Sequence, residues 1–234
     1  MLKRLLLSTV MLVPMSAHAD LVSVSPNVTI ITPPPPAVID GNFLYNNNLP
    51  NIAIFAERKS VTLTAPLGVD TVQGTTTPPC TTCFIPTGTM VDSYLIEANQ
   101  WNVITANFSA TFDSPVLGII FADRLDGYPD ANFGASDFLG LPGLVYQEAN
   151  CFQCGYELLP GTPGYTADIA WVTGNTANFH TTFSEPGDMA RIIVRDPPPV
   201  PGPEVGAGLP GLLGLLGLWW YRRQRDATRL ISPQ

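Results

Sequence analysis

Short stretches in which apolar and polar residues alternate recur through the middle of the chain, and they constrain its fold more than any other feature. In Val103–Phe112 every second residue is apolar, and Ser60–Ala65 alternates in the same way. This period of two is typical of a β-strand with one buried face. Val116–Ala122 is almost continuously apolar, which predicts a central strand buried on both faces.

Eight segments of this kind are separated by turn-forming residues, and few of them show a helical period. The segments are Asn51–Phe55, Ser60–Ala65, Val91–Glu97, Val103–Phe112, Val116–Ala122, Tyr165–Val172, Thr176–Phe183 and Ala190–Val194. The sequence therefore predicts an all-β protein with one antiparallel β-sandwich or jelly-roll-like domain at residues 51–196. The Pro- and Asn-rich residues 20–50 are expected to form an extended segment before it. We interpret Trp101 and Trp171 as core or rim packing rather than as ligand platforms.

The charge of the chain excludes one large class of partners. The formal net charge is −8, and the residues between Asp20 and Pro203 include seventeen acidic and five basic ones. Binding to nucleic acid needs clustered Lys and Arg, which this segment lacks, so neither nucleic acid nor anionic lipid is expected as a partner.

The amino terminus has the three regions of a secretory signal peptide. Lys3 and Arg4 are followed by an apolar stretch, Leu5–Met15, that is too short to span a membrane comfortably. Ala17 and Ala19 then fit the small-x-small pattern that signal peptidase accepts. We predict a signal peptide at residues 1–19 and a mature chain that begins at Asp20.

The carboxyl terminus has the pattern of a membrane segment. A Pro-rich linker at 197–204 precedes an apolar run at 205–221, the short edge of the length that spans a bilayer. Trp219, Trp220 and Tyr221 lie where an aromatic belt is expected. The basic residues at 222–234 predict a cytoplasmic tail under the positive-inside rule.

Together these tail features resemble the PEP-CTERM sorting signal of exported bacterial proteins. The residues that carry the resemblance are Pro201, Pro203, Glu204, Arg222, Arg223 and Arg225, with Val205 in place of the second proline of the motif. The resemblance implies recognition at the inner membrane, processing by an exosortase-like protease and delivery to the cell envelope or an extracellular, polysaccharide-rich matrix. Segments such as Glu57–Leu63 and Thr111–Ile120 resemble a β-rich domain that often precedes such tails and for which no activity is assigned.

The four cysteines form two C-x-x-C pairs, Cys80 with Cys83 and Cys151 with Cys154. Disulfides fit the oxidising compartment that a signal peptide implies, and their connectivity is open. A four-thiolate zinc site has the same spacing. A thioredoxin-like redox pair needs a strand followed by a helix, whereas Pro and Gly beside these pairs favour loops.

One loop is rich in oxygen ligands. The residues that could bind calcium are Asp123, Asp126, Asp130, Asn132 and Asp137. Their spacing is not that of an EF-hand, and an ordinary turn cluster is the alternative. The sequence suggests no other cofactor.

No catalytic motif is visible in the sequence. His180 is the single histidine after His18, and the alternation around it predicts a strand residue rather than a catalytic base. Carboxylate pairs for glycoside hydrolysis meet only in space, so Glu57, Glu97, Glu148 and Glu157 are candidates by default. We therefore expect an exported envelope or matrix protein with a structural, adhesive or carbohydrate-contacting role. The alternatives are a secreted carbohydrate-active or other hydrolytic enzyme and an uncleaved, membrane-anchored periplasmic protein.

Overall fold

The structure is a computed structural model that describes residues 19–32, 38–39, 50–75, 80, 82–98, 104–122, 131–146, 168–183 and 188–197. All of them belong to one compact unit, His18–Pro198, and the other unit comprises Met1–Ala17 with Pro199–Gln234. The predicted signal peptide up to His18, the sorting motif, the apolar run and the basic tail therefore lie outside the described residues. No helix within the described ranges is both long enough and apolar enough to cross a membrane.

The described residues are mostly β-strand, as the alternating segments predict. The strands are β1 (Leu21–Val24), β2 (Thr29–Ile30), β3 (Val38–Ile39), β4 (Ile52–Ala56), β5 (Val61–Thr62), β6 (Leu67–Gly68), β7 (Phe84–Ile85), β8 (Met90–Ala98), β9 (Ile104–Phe112), β10 (Val116–Phe121), β11 (Val145–Tyr146), β12 (Ile169–Thr173), β13 (Thr176–Phe183) and β14 (Asp188–Arg195). One short helix, α1 (Ala131–Ala135), and a 3₁₀ helix (Asp137–Leu139) follow β10. The all-β prediction is confirmed.

Two sheets contain most of the strands. A six-stranded sheet has the order β10-β14-β8-β4-β2, with β5 also pairing with β8, and a four-stranded sheet has the order β1-β9-β13-β12. Most pairs are antiparallel, but β2–β4 and β3–β11 are parallel. A parallel pair needs a crossover connection, and the chain between residues 30 and 52 is long enough to supply one to β2 and β4.

The main hydrophobic core contains side chains from both sheets. Ile54 and Ile96 come from the six-stranded sheet, whereas Phe108 and Phe179 come from the four-stranded sheet. Phe108 lies opposite Phe179 in the β9–β13 register, and their rings stack with centroids 5.0 Å apart. A stacked pair of this kind is worth about 0.5–1.5 kcal/mol beyond its buried area. The inner packing therefore fixes the register of the two central strands of the four-stranded sheet.

A second core covers the other face of the six-stranded sheet. Leu95 and Ile193 from that sheet pack with Val69, Phe133 and Leu139 from the connecting segments. Strand β8 is buried at every position after its first residue, because both of its faces are covered. This explains why β8 and β14 lack the regular alternation of apolar and polar residues that β9 and β13 show.

Two of the predicted strands differ from the structure, one in its position in the sheet and one in its length. Val116–Ala122 is buried almost throughout, as predicted, but β10 is at an edge of the strand ladder, where a bridge from Thr71 to Ile119 lies against it. The strand expected at Ser60–Ala65 is only Val61–Thr62, and Ala65 is exposed. Ala65 precedes Pro66, and proline has no backbone N–H with which to continue a ladder.

The sheets also begin earlier in the chain than residue 51. Strands β1 and β2 lie within residues 20–50, which we expected to form an extended segment before the domain. Instead β1 pairs with β9 and β2 pairs with β4. The two strands are four and two residues long, and a turn in which the Val28 N–H donates to the Ser25 carbonyl joins them. Strands this short cannot display a periodic pattern, so the sequence did not place them in the sheets.

Candidate functional site

The outer face of the four-stranded sheet consists of neutral side chains. In β9 and β13 alternate residues such as Phe108 and Ala177 point into the core, so the residues between them point outward. We call the outward set the neutral face: Val22, Ser23, Thr105, Asn107, Ser109, Thr111, Ile169, Trp171, Thr173, Thr176, Asn178, His180 and Thr182, of which Thr182 is buried. No Asp, Glu, Lys or Arg is among them, although the chain as a whole is strongly acidic.

The strand register arranges these side chains in rows across the sheet. Thr111 and Thr176 are opposite each other, with their hydroxyl oxygens 3.0 Å apart. Thr105 and Thr182 form a second such pair at 2.8 Å. Cross-strand hydroxyl pairs of this kind contribute a few tenths of a kcal/mol each and hold the rows in line. With strands about 4.8 Å apart and residues rising about 3.3 Å along each strand, the face measures roughly 14 Å by 20 Å.

The middle of the neutral face contains amides and an imidazole. The Nδ1 atom of His180 lies 2.8 Å from Oδ1 of Asn107. An amide oxygen only accepts, so the Nδ1–H of His180 donates to it. The amide nitrogen of Asn178 lies 3.4 Å from the carbonyl oxygen of Trp171. This part of the face therefore combines hydrogen-bond donors and acceptors on groups without formal charge.

An apolar strip runs along β12 at the edge of the face. Trp171 is half-buried and Ile169 is 37 % exposed, while Ala170 and Val172 between and after them are buried in the main core. Trp171 lies opposite Asn178 in the register, so its ring adjoins the amide row. The alternation in β12 turns the Trp171 indole away from the core, so its place at the sheet edge fits the rim alternative of the prediction, and Trp101 lies outside the described residues.

The chemistry of the neutral face suits a ligand with many hydroxyl groups. Hydroxyls and amides can each donate and accept, so they match a partner whose own groups do both. A half-buried Trp presents an apolar ring and one N–H donor. The absence of charge on the face means that binding would not depend on ion pairing.

A second polar cluster lies inside the structure, at the centre of the second core. Arg191 is fully buried, with Nε 2.7 Å from Oε2 of Glu57 and Nη2 3.0 Å from Oε1. Its Nη1 donates to the carbonyl oxygen of Phe133 at 3.3 Å and to the hydroxyl of Ser136. The guanidinium carbon is 4.6 Å from the centroid of the Phe133 ring. Arg191 thus fastens α1 and the residues after it onto the six-stranded sheet.

A third cluster surrounds the start of the described chain. We call it the amino-terminal site, and its side chains are those of Asp20, Lys59, Asp92, Tyr94, Asp113 and Asp196. Lys59 lies 3.3 Å from Oδ2 of Asp92 and 4.5 Å from the centroid of the Tyr94 ring. Burial raises the pKa of the Asp92 carboxyl, although the hydrogen bond from the Ser60 N–H and the charge of Lys59 act in the opposite direction. Burial also raises the pKa of the Tyr94 hydroxyl.

The pKa of Lys59 is raised as well. Burial lowers it, but the hydrogen bond with Tyr94 and the charge of Asp92 outweigh that effect. The neighbouring Ser60 has a left-handed backbone with φ of 53°, and its N–H donates to Oδ1 of Asp92 at 2.6 Å. Its hydroxyl donates to Oδ2 of Asp196 at 2.5 Å. Two buried carboxylates therefore hold a backbone conformation that costs on the order of 1 kcal/mol in a residue other than glycine.

The predicted calcium ligands are described only in part. Asp137 opens the 3₁₀ helix, and its Oδ1 lies 3.8 Å from Nη1 of Arg191. Asn132 is in α1, and Asp123, Asp126 and Asp130 lie outside the described residues. Within the described ranges no group of three or more His, Cys, Asp or Glu side chains is arranged to hold a metal ion. The calcium site stays a prediction.

One of the two cysteine pairs is a disulfide. Cys80 is bonded to Cys83, so this pair closes a small ring of its own. Neither thiolate of the pair is therefore available to the four-cysteine zinc site considered above. Cys151 and Cys154 lie outside the described residues, and their pairing stays a prediction.

The candidate hydrolase residues that the structure describes are not exposed together. Glu57 is bonded to Arg191, and Glu97 is 1 % exposed within β8. Glu148 and Glu157 lie outside the described residues. His180 is on β13, as predicted, and belongs to the neutral face.

Comparison with known proteins found no matching family model, no matching curated protein and no matching solved structure. The resemblance of the tail to the PEP-CTERM signal therefore stays a prediction from the sequence.

The residues of the neutral face were not singled out from the sequence, although a signal for them exists. In Thr176–Phe183 and Val103–Phe112 the polar members of the alternation are Thr, Ser, Asn and His, with no charged residue among them. A solvent-facing strand surface more commonly carries Lys, Glu or Asp, so the lack of charged residues in these two segments is a signal that the sequence alone contains. Their convergence on one face, beside Trp171, required the strand order.

Proposed function

We propose that the protein is exported to the cell envelope or the extracellular matrix and that its β-rich domain contacts a neutral polysaccharide. The observation that carries this proposal is the neutral face, a broad surface of uncharged hydrogen-bonding groups beside Trp171 on an otherwise acidic protein. The arrangement of two sheets across a shared core supports a β-sandwich domain, because such a domain presents one sheet surface to solvent while the other face is buried.

The route to the outside is proposed from the two ends of the chain. Signal peptidase removes residues 1–19, and the run 205–221 holds the protein in the inner membrane until an exosortase-like protease cuts near Glu204. The bonded Cys80–Cys83 pair supports an oxidising destination, since disulfides persist outside the cytosol.

The electrostatics favour neutral over acidic polysaccharides. The residues between Asp20 and Pro203 include seventeen acidic side chains, so a polyanion is repelled at long range, while the neutral face offers it no cation. A neutral glucan or mannan meets no such repulsion, and its hydroxyls can exchange hydrogen bonds with Asn107, Asn178 and His180.

A binding screen tests the proposal. The purified protein is run through gels containing neutral or acidic polysaccharides, and the same mixtures are assayed for released sugars. We expect retardation by at least one neutral polysaccharide, none by acidic ones, and no released product. Binding confined to acidic polymers would contradict the proposal, and sugar release that an acidic-residue variant abolishes would indicate the enzyme instead.

The intact mass of the exported protein tests the route separately. We expect a chain that begins at Asp20 and ends near Glu204. A product that retains residues 205–234 would indicate the permanently anchored alternative, and a full-length chain in the cytosol would contradict export.

A further inference from the structure

The residue just before the predicted cleavage point is enclosed by the folded domain. Ala19 is fully buried and belongs to the main core. Its N–H donates to Oδ2 of Asp92 at 2.9 Å. Its carbonyl oxygen accepts a hydrogen bond from the Tyr94 hydroxyl at 2.6 Å and another from the Lys59 ammonium. Both polar backbone atoms of Ala19 are therefore satisfied by side chains of the amino-terminal site.

The next backbone nitrogen already lies against a carboxylate. The N–H of Asp20 donates to Oδ1 of Asp113 at 2.9 Å, and the N–H of Asp113 donates back to the carbonyl oxygen of Asp20 at 3.0 Å. The chain then enters β1, where Leu21 is opposite Phe112. The two hydrogen bonds with Asp113 and the pairing of Leu21 with Phe112 together fix the position of the Asp20 nitrogen.

The amino-terminal site contains more negative than positive charge. Asp92 is fully buried, Asp196 is 3 % exposed, and the side chains of Asp20 and Asp113 lie at the outer end of the site. The ammonium of Lys59 lies 3.3 Å from Oδ2 of Asp92 and 3.8 Å from Oδ1 of Asp20. In the same part of the chain Oδ1 of Asp196 is buried without a hydrogen-bond partner. Buried carboxylates are stable only when charge or hydrogen bonds compensate them, so the site can accommodate a further cation.

We infer that the amino-terminal site is the receptor for the protein's own processed amino terminus, whose new α-ammonium group at Asp20 binds between Asp113 and Asp92. The inference rests on the removal of residues 1–19 in the proposed function. In that step water adds across the Ala19–Asp20 peptide bond. The carbonyl carbon of Ala19 takes the hydroxyl group, and the nitrogen of Asp20 takes the proton and a second one from solvent to become an ammonium.

An α-ammonium fits the place that Ala19 leaves. Consecutive residues are about 3.8 Å apart along the chain, so an ammonium held on Asp113 lies about that distance from the place beside Asp92 that the Ala19 N–H leaves. An ammonium has three N–H donors, whereas the amide that it replaces has one. The added charge opposes the acidic excess, and Lys59 keeps its own contact with Asp92 at 3.3 Å.

The reactivity of the amine tests this inference. Two chains are prepared, one from Asp20 to Gln234 and one with Gly-Ala placed before Asp20, so that both have the same formal charge. An amine-acylating reagent is added at pH 7.5, and acylation is followed by peptide mass spectrometry. The only other amine is that of Lys59, because Lys59 is the single lysine after Ala19. Asp113→Asn in both chains is the matched variant.

We expect the Asp20 amine to react about fivefold more slowly than the displaced amine, the size expected of a partly exposed ion pair. Asp113→Asn should speed the reaction in the Asp20 chain and leave it unchanged in the Gly-Ala chain. The two chains should react equally fast in denaturant, which shows that the difference comes from the fold. Equal rates in the folded state, or an equal effect of Asp113→Asn on both chains, would overturn the inference. Because both chains have a defined first residue, this result is independent of whether export and cleavage occur as proposed.

Discussion

Replacement of Glu57 by Gln should remove a large part of the stability of the domain. The Glu57 carboxylate and the Arg191 guanidinium are both fully buried, and two hydrogen bonds of 2.7 and 3.0 Å join them. Gln has nearly the same volume but no charge, so Arg191 would stay buried and lose its bidentate carboxylate partner, while the half-exposed Asp137 carboxylate, 3.8 Å from its Nη1, compensates it only in part. Leaving one partner of a buried ion pair in this state costs about 3–5 kcal/mol. That is at least a fifth of the roughly 5–15 kcal/mol by which a typical domain is stable.

The assay is equilibrium unfolding in urea, followed by tryptophan fluorescence, with the slope of the transition compared between variants. The double variant Glu57→Leu with Arg191→Met is the control, because replacing both partners leaves no buried charge. We expect it to recover at least half of the loss, the remainder reflecting the hydrogen bonds that the Phe133 carbonyl and the Ser136 hydroxyl accept from Arg191, although that carbonyl keeps the hydroxyl and the N–H of Ser136 as donors. A loss below about 1 kcal/mol for Glu57→Gln would refute the reasoning, because it would show that Arg191 does not depend on Glu57 for compensation.

Two further predictions concern packing and pH. A Cβ at position 118 would lie 2.9 Å from Cβ and Cγ1 of Val69, so Gly118→Ala should destabilise the domain by about 1–3 kcal/mol. Val69→Ala removes the clashing atoms, so it should cost less stability in the Gly118→Ala variant than in the wild type. Additive losses in a double-mutant cycle would contradict this contact. Burial raises the pKa of Asp92 in the folded state, so folding favours the protonated carboxyl. The contribution of Asp92 to the free energy of unfolding is therefore fully present below about pH 4 and is lost as the pH rises through the folded pKa. The unfolding free energy of the wild type minus that of Asp92→Asn should therefore fall as the pH rises above about 4. A difference that stays constant or rises with pH would contradict the raised pKa.

The strands that bury one face were predictable, because the period of two survives in the sequence wherever one side of a strand meets solvent. The segment Thr176–Phe183 is β13 to the residue, and the apolar face of β9 is the one expected. The prediction failed at β1 and β2, which are too short for a period, and at Ala65, where the following proline ended the strand. The edge position of β10 was also hidden, since burial on both faces does not reveal the neighbours of a strand in its sheet.

The buried polar clusters could not be predicted, because their members meet only after folding. Glu57 and Arg191 are 134 residues apart in the chain, and Ala19 and Asp92 are 73 apart. From the sequence, Glu57 was only one of four candidate carboxylates for glycoside hydrolysis, and Ala19 was only part of the predicted signal-peptidase site. Trp171 could have been placed on the outer face from its neighbours, since the small apolar residues on either side of it fix the inward face of β12.

The central claim is that the neutral face contacts a neutral polysaccharide, and Trp171→Ala tests it most directly. Phe84→Ala is the matched control, because Phe84 is 63 % exposed in β7, outside the four-stranded sheet. The measurement is the dissociation constant for the polysaccharide that retards the wild type, with thermal unfolding to show that each variant is folded. We predict that Trp171→Ala weakens binding by at least about tenfold, the equivalent of 1.4 kcal/mol, and that Phe84→Ala leaves it unchanged. Equal affinity of the wild type and Trp171→Ala, or a loss confined to Phe84→Ala, would contradict the claim.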